Sequence, residues 1–459
     1  MLSWLPQIEK AGGPKYLAIA EALRADIRSG RLEAGIRLPP QRQLAQALGV
    51  DLTTVTRAFN EARRMGLIDA RTGRGSFVRA MAKDATASAG SPVIDLSMNM
   101  PPQPREAELR ERIQDGIARV LASPNGMLHL SYQESAGARP DRAAACLWLE
   151  GRLGPVPVER TVVTGGAQTA LYAIMRVLVR PGDTVCVPTV TYPGLRAIAE
   201  RLNIRLVPSA MDHEGFHPDA LAETCAREKP RAIYCVPTIH NPTTATMSRP
   251  RREAVAEVAR RHGVPIIEDD AYGVLPRQAP VPLAALAPDI TWHIATLSKC
   301  VTPALRTAYV VAPAMADTLR LVAEIRAMAL MMPPLMAALA SLWIHDGTLE
   351  AITAAIRQES AARQTIAQRI LGGLPFQAHP EGHHLWLTLP ERWRQADVTV
   401  HARRSGLALV PSEAFAVGTA PDAIRVSLGA ARNRAELEQG LSLLATVLSH
   451  GPGALSSIV

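Results

Sequence analysis

At 459 residues the chain is too long for one ordinary domain, and two or three are expected. Its 47% hydrophobic and 20% charged residues are those of a globular protein with a real core. The five cysteines (Cys146, Cys186, Cys225, Cys235, Cys300) lack any paired close spacing, which argues against a zinc site or disulfide framework and fits a reducing cytoplasm. The N-terminus has no apolar signal core. Charge is lopsided: residues 1–83 hold 11 Arg and 3 Lys against 7 Asp and Glu, a surplus of seven within a total of +8. A basic module on a near-neutral body points to a polyanion partner for that module.

In the first 29 residues, Tyr16, Ile19, Ala20, Leu23 and Ile27 recur on one face of a helix over residues 15–29, which Gly30 stops. Gly35 and Pro39-Pro40 mark a turn, and proline opens a second short helix, Gln41–Leu48, broken by Gly49. Asp51 is placed to cap a third helix over residues 52–65, ending before Gly66. Two short apolar runs, Leu67-Ile68 and Ser76-Phe77-Val78, flank Gly73-Arg74-Gly75, which reads as a hairpin tip. Three short helices and a basic hairpin describe a winged helix-turn-helix.

The motifs Arg37-Leu38-Pro39-Pro40-Gln41-Arg42-Gln43-Leu44-Ala45, Leu48-Gly49-Val50, Thr53-Thr54-Val55-Thr56-Arg57-Ala58-Phe59 and Gly73-Arg74-Gly75-Ser76-Phe77-Val78 are spaced over residues 15–79. Together they resemble GntR-type transcription regulators, and the resemblance implies binding to double-stranded DNA. The third helix is then expected in the major groove, with Thr53, Thr54 and Thr56 against bases or phosphates. Arg57 and Arg42 suit phosphates or a guanine edge, and Arg74 on the wing tip suits a minor groove or phosphate. Leu52 stands where the family often carries a base-contacting arginine, so the preferred operator is not readable.

Residues 80–92 are small and polar without an apolar face, which reads as a tether between a domain at 1–79 and one at 93–459. Val93-Ile94-Asp95-Leu96-Ser97 restarts apolar alternation. Apolar runs at Val162-Val163-Thr164, Thr184-Val185-Cys186-Val187, Arg205-Leu206-Val207, Ala232-Ile233-Tyr234-Cys235-Val236 and Pro265-Ile266-Ile267 alternate with helical stretches. That pattern predicts an α/β body with a mostly parallel sheet covered on both faces. Thr164-Gly165-Gly166-Ala167-Gln168-Thr169 opens a helix after a strand, where glycine and free amides suit a phosphate. Tyr192-Pro193-Gly194 offers a ring for stacking, and His240-Asn241-Pro242-Thr243-Thr244 an asparagine at a strand end. Glu268-Asp269-Asp270-Ala271-Tyr272 puts three acids beyond a buried strand, odd for a core and favouring a functional role. Thr296-Leu297-Ser298-Lys299 sets an amine among hydroxyls, with Arg306 seven residues on; a lysine that forms an imine with an aldehyde cofactor needs such a setting. Residues 327–344 carry no charge, but Pro333-Pro334 interrupts them, and a buried or subunit-interface helix pair is favoured over a membrane span.

These five elements, in this order, resemble fold type I aminotransferases dependent on pyridoxal 5'-phosphate, over residues 94 to about 448. The resemblance implies a smaller C-terminal α+β subdomain and a homodimer. It implies an internal aldimine at Lys299, Asp269 on the pyridine nitrogen, Tyr272 and Asn241 on the phenolic oxygen, and Tyr192 on the ring face. It gives the phosphate to Ala167 and Gln168 amides, Thr296 and Arg306, with Tyr132 reaching the neighbouring subunit's phosphate, and gives Arg425 a ligand carboxylate. No metal is expected. Thr244 stands where glycine is usual in Asn-Pro-Thr-Gly, and Ala308 replaces another common glycine. The fusion of the two halves resembles the MocR subfamily, which implies a regulator responding to an amino-compound effector or to the cofactor itself. The competing expectation is an active aminotransferase with a vestigial or autoregulatory DNA-binding module.

Overall fold

The structure, a computed structural model, describes residues 4–6, 14–28, 31–32, 35–65, 67–71, 75–78 and 93–450. The chain divides into two units, Met1–Gly90 and Ser91–Val459. The expected tether at 80–92 lies outside the described residues.

In the first unit the helices are α1 Lys15–Arg28, α2 Gln41–Leu48 and α3 Leu52–Arg64, followed by strands β1 Ile68–Arg71 and β2 Gly75–Val78. The periodic face of α1 is the buried one: Ile19, Ala20 and Leu23 are 1% exposed, and Tyr16 and Ile27 pack at the margin. They meet Leu44, Val55, Phe59, Ala62, Ile68 and Val78 in one small core. Gly49 ends α2 at φ +61°, and its N–H returns to the carbonyls of Ala45 and Gln46, a left-handed closure that favours glycine. Asp51 does occupy the N-cap position of α3, yet its side chain makes no capping bond. The residue is exposed, and its backbone carbonyl accepts from the Thr54 amide at 3.0 Å. The strands pair antiparallel, Ile68 opposite Val78 and Arg71 opposite Gly75. Of the expected tip Gly73-Arg74-Gly75, Gly75 opens β2, and Gly73 and Arg74, like Gly30 and Gly66, lie outside the described residues.

The second unit is built on seven strands: β3 Thr161–Thr164, β4 Thr184–Pro188, β5 Arg205–Ser209, β6 Ala232–Cys235, β7 Ile266–Asp269, β8 Thr291–Thr296 and β9 Ala308–Val311. Their order in the sheet is β3-β9-β8-β7-β6-β4-β5. All pairings are parallel except the two made by β9. Strands β3, β6, β7, β8 and β9 are buried at every residue, which is why β3 and β6 run apolar instead of alternating, while β7 and β8 also bury polar side chains. Residues 327–344 divide between a helix at Met315–Ala329 and another at Pro334–His345, opened by Pro333. Ala337, Leu339, Ala340 and Trp343 bury the second of these in the core. Among the described residues no helix is long and apolar enough to cross a membrane.

A smaller antiparallel sheet lies toward the C-terminus, with β10 Phe376–Ala378, β11 His384–Thr388, β12 Val410–Pro411 and β13 Ala423–Ser427 in the order β10-β11-β13-β12. Leu385, Leu387, Trp393, Ile424, Val426, Leu437 and Leu441 give it a separate core. The segment Ile94–Asp95 pairs in parallel with Leu407–Ala408, and Ile94 and Leu96 bury in that core. The chain therefore enters the body through the small subdomain and crosses to the large one at 97–103.

The small core of the first unit leaves little reserve. Phe59→Ala, at a site 1% exposed, is expected to cost about 3–5 kcal/mol of that unit's stability. Hydrogen exchange of the amides of α1 and α3 should rise accordingly, and unchanged protection would contradict the packing described.

Candidate functional site

Lys299 sits in the turn that follows β8. Its Nζ donates to the carbonyl of Asn99 at 2.5 Å and lies 5.9 Å from the centre of the Tyr272 ring. Burial, aided by the guanidinium of Arg425, pushes its pKa down to about 8 against the attraction of Asp269. A larger neutral fraction makes the amine a better nucleophile near neutral pH.

Asp269 ends β7. Its Oδ2 accepts from the Tyr234 hydroxyl at 2.8 Å, while Oδ1 is buried without a partner. Burial pushes this carboxyl up to about 6; the Tyr234 hydrogen bond opposes that, the charge of Asp270 adds to it, and Lys299 opposes it. The three consecutive acids divide. Glu268 accepts from the amides of Leu283 and Ala284 at 2.7 and 2.9 Å and pairs with His293. Asp270 holds Arg152 at 2.7 Å. Successive residues of a strand face opposite sides, so the functional role expected of the triplet narrows to Asp269, and its neighbours tie the core together.

Two further groups close the ring of polar contacts. The Tyr272 hydroxyl, buried, accepts from Asn99 Nδ2 at 2.8 Å. Asn241 Oδ1 accepts from Arg425 Nη1 at 2.9 Å, and Arg425 Nη2 donates to the Ser97 carbonyl at 2.6 Å. The Arg425 guanidinium stacks 4.9 Å from the Phe415 ring, and its Nε is buried without a partner.

At the other end, Gly166 has φ +104°, and a Cβ added there would lie 2.7 Å from Arg306 Nη2. Arg306 donates to the Gly165 carbonyl at 3.2 Å. The helix α4, Ala167–Leu178, starts here, so the amides of Ala167 and Gln168 lie in its first turn, ahead of any intrahelical acceptor. Thr296 Oγ1 lies 3.1 Å from both the Ser298 hydroxyl and the Thr307 carbonyl. Tyr192 folds over Gly194, where a Cβ would meet its ring at 2.3 Å and Gln168 Oε1 at 2.4 Å. Burial raises the Tyr192 pKa, with Asp269 adding and Arg306 and Arg425 opposing.

The structure thus gathers Lys299, Asp269, Tyr272, Asn241, Arg425, Tyr192, Gln168, Thr296 and Arg306 about the carboxyl ends of the sheet. Tyr132 stands apart, 84% exposed, on a cleft shared with Glu134, Arg142 and Leu319. Thr244 adopts φ +65° with its N–H on the His240 carbonyl, a conformation that accounts for glycine being usual there. Ala308 is fully buried opposite Thr164, whose hydroxyl reaches its carbonyl at 3.3 Å. Sequence reasoning did not find Ser97, Asn99, Tyr234, His383 or His384. His383 Nε2 lies 2.6 Å from the Lys299 carbonyl, and burial pushes its pKa down to about 3. Among the described residues no three His, Cys, Asp or Glu converge on a metal position.

On the first unit, Thr53 and Arg42 are exposed and Thr54 is half-buried. Thr56 Oγ1 donates to Gln41 Oε1 at 2.9 Å, so this hydroxyl also pins α3 to α2. The Arg57 guanidinium lies 4.4 Å over the Tyr16 ring of α1. Arg74 lies outside the described residues.

Residues 91–444 match the family of class I and II aminotransferases, and residues 15–78 match the gntR family of bacterial regulatory proteins. The chain is 30% identical to an uncharacterized HTH-type transcriptional regulator, YdeF, of Bacillus subtilis (strain 168), over 97% of both chains. It is 27% identical to the probable rhizopine catabolism regulatory protein MocR of Rhizobium meliloti, over 65% of this chain and 66% of that one. Its fold is that of LysN, the alpha-aminoadipate aminotransferase of Thermus thermophilus, solved with N-(5'-phosphopyridoxyl)-L-leucine: the TM-score is 0.72 at 24% identity, over 80% of this chain and 94% of that one. The chain belongs to the MocR-like HTH-type transcriptional regulators, in which a GntR-type domain precedes a class I and II aminotransferase domain.

The shifts at Asp269 and Lys299 set two arms of a pH profile in the cofactor-free protein. The folded chain holds the Asp269 proton more tightly than the unfolded chain, so this contribution to stability is lost as pH rises from about 3.8 to about 6. Lys299 gives up its proton more readily when folded, so its contribution grows as pH rises from about 8 to 10.5. Urea unfolding of Asp269→Asn against wild type should show the acid arm removed, on the order of 2–3 kcal/mol across that window. Parallel profiles would mean that Asp269 titrates normally.

Proposed function

We propose that this chain is a pyridoxal 5'-phosphate-dependent transcriptional regulator that binds double-stranded DNA through its winged helix and senses the cofactor, an amino-compound effector, or both at Lys299. The carrying observation is the enclosure of an amine with a pKa of about 8 beside a buried carboxylate with one unpartnered oxygen, next to an arginine over a glycine turn. These residues fit the cofactor. When bound it supplies an aldehyde carbon for an amine and an electron-withdrawing ring.

Lys299 Nζ is the point of attachment. Asp269 Oδ1, already desolvated, would accept a hydrogen bond from the protonated ring nitrogen and keep that nitrogen protonated, which lowers the cost of burying the carboxylate charged. Asn241 and Tyr272 serve the phenolic oxygen, and Tyr192 covers the ring. Arg306, Thr296 and the amides of Ala167 and Gln168 bind the phosphate, where the α4 N-terminus adds a favourable dipole. Arg425 binds an effector carboxylate with its planar fork, exchanging the Asn241 and Ser97 oxygens for a charged partner. Tyr132 serves the neighbouring subunit of a homodimer. Exposed Met127, Leu128, Leu130, Tyr132 and Leu319 give the chain an apolar surface to cover in that way.

Residues 1–79 form the DNA-binding domain, 80–92 a tether, and 93–459 the sensor, in a cytoplasmic protein. Thr53, Thr54, Thr56, Arg42, Arg57 and Arg74 make up the DNA face. A second reading, an active aminotransferase with a vestigial or autoregulatory DNA module, is favoured by one observation: the polar set Lys299, Asp269, Tyr272, Asn241, Arg306 and Arg425 is complete.

The deciding measurement is binding to the DNA upstream of the chain's own gene at one fixed salt concentration, with cofactor-loaded and cofactor-stripped protein. Sequence-specific binding that changes about 5–150-fold with pyridoxal 5'-phosphate is expected, and Lys299→Ala should abolish the change. Weak, sequence-blind binding indifferent to the cofactor, with sustained turnover of an amino acid and a keto acid, would favour the enzyme. Arg42→Ala should weaken binding to all sequences and reduce the salt slope by about 1. An unchanged slope would remove Arg42 from the DNA face.

A further inference from the structure

Asn99 lies on the crossover between the two subdomains and touches three groups of the site. Its backbone carbonyl accepts from Lys299 Nζ, and its side chain reaches Tyr272 and His384. The direction of these bonds follows from the histidine. His384 Nε2 lies 3.3 Å from the His240 carbonyl, which can only accept, so Nε2 carries the proton. Burial holds this ring neutral, so Nδ1 is bare and needs a donor. The atom facing it at 3.3 Å is therefore the amide nitrogen of Asn99. The second hydrogen of the same nitrogen points at the Tyr272 oxygen, 2.8 Å away. Tyr272 is thus an acceptor toward Asn99, and burial, which raises its pKa, keeps its own proton in place. That proton is free to be given elsewhere.

We propose that Asn99 is a positioning residue of this site, which donates both amide hydrogens so that the Tyr272 hydroxyl turns its own proton toward the phenolic oxygen of bound pyridoxal 5'-phosphate. The inference rests on the cofactor reading above. A hydroxyl that accepts one hydrogen bond donates a stronger one, because the two polarise each other. A stronger bond from Tyr272 stabilises the phenolic oxygen as an anion. The bound cofactor then loses the proton of its chromophore at lower pH. The Asn99 side chain acts through Tyr272, while its backbone carbonyl separately accepts from Lys299 Nζ, so the side-chain amide sets an electronic property without itself touching that amine.

The test is a pH titration of the visible absorption band of the full-length, cofactor-loaded protein, with no turnover involved. Asn99→Ala should raise the apparent pKa of that band by about half a unit or more. Asn99→Asp keeps the side chain's shape and loses both donors, and should shift the band further in the same direction; it also serves if the alanine variant folds poorly. In a Tyr272→Phe background, Asn99→Ala should cause no further shift, since the two residues form one path. A titration of Asn99→Ala that matches wild type overturns the assignment, as does an undiminished shift in the Tyr272→Phe background. A wild-type chain that gains no visible band with pyridoxal 5'-phosphate overturns the cofactor reading itself, an outcome distinct from the other two.

Discussion

The arrangement of the body depends on holding two ionisable groups, the buried Asp269 and the half-buried Lys299, at the end of one sheet. Burial shifts each toward its neutral form, and each one's charge offsets part of the other's shift. A buried carboxylate with one oxygen satisfied by Tyr234 and the other unpartnered is unstable on its own terms. It persists because the strands on either side fix it: β7 lies between β6 and β8, parallel to both. Parallel strands bring their carboxyl ends to one edge, which is where open α/β sheets form their crevices. The one reversed strand extends the principle. Because β9 runs the other way, Ala308 at its start pairs with Thr164 and Thr296 at the ends of β3 and β8. Arg306, two residues before Ala308, thereby reaches the glycine turn that follows β3.

The second constraint is the seam between two cores. The large subdomain offers Asn241, Tyr272 and the His240 carbonyl; the small one offers Arg425 and His384 from β13 and β11. The crossover at 97–103 contributes Ser97 and Asn99 between them. The two main hydrophobic clusters remain separate, and a small third one, with Val190, Trp386, Phe415, Ala416 and Ala423, bridges the seam beside these polar contacts. The hydrogen-bonded part of the seam is more easily re-formed with a different partner than a packed core, whose shape admits few alternatives.

Much of this was legible from sequence wherever a residue's chemistry conflicted with its surroundings. An amine among hydroxyls at Lys299, an acid after an apolar strand at Asp269, and paired glycines before α4 each stood out. The three helices of the first unit were equally plain, since glycine and proline punctuate them and α1 has a single apolar face. The illegible parts share a physical cause. Which member of Glu268-Asp269-Asp270 faces the crevice depends on the strand's phase within the sheet, and composition carries no record of phase. Strands β8 and β9 mix threonine, histidine and tyrosine into buried positions whose partners lie far along the chain. Asn99 is 173 residues from Tyr272 and sits in an irregular segment, so neither periodicity nor motif marks it. Arg57 reads in sequence as a residue for phosphates or a guanine edge, and nothing local marks its stacking on Tyr16 of the first helix.

A sensor must convert ligand binding into a difference felt by the DNA-binding unit, and a ligand shifts an equilibrium only through contacts that differ between states. The route of the chain bears on where such contacts would have to lie. The described residues of the second unit begin at residue 93, and Ile94–Asp95 are stitched to Leu407–Ala408 of the small subdomain. The DNA-binding unit is therefore covalently attached to the subdomain that carries Arg425 and His384, not to the one that carries Lys299. A ligand seated only on Lys299, Asp269 and Arg306 would bind the large subdomain without engaging the attached one. A ligand that also takes Arg425 would exchange bonds across the seam, because Arg425 gives up Asn241 and Ser97 to receive it. On the proposed function, an amino compound bearing a carboxylate would have both handles, and the entry of the chain through the small subdomain would give the second handle its mechanical value.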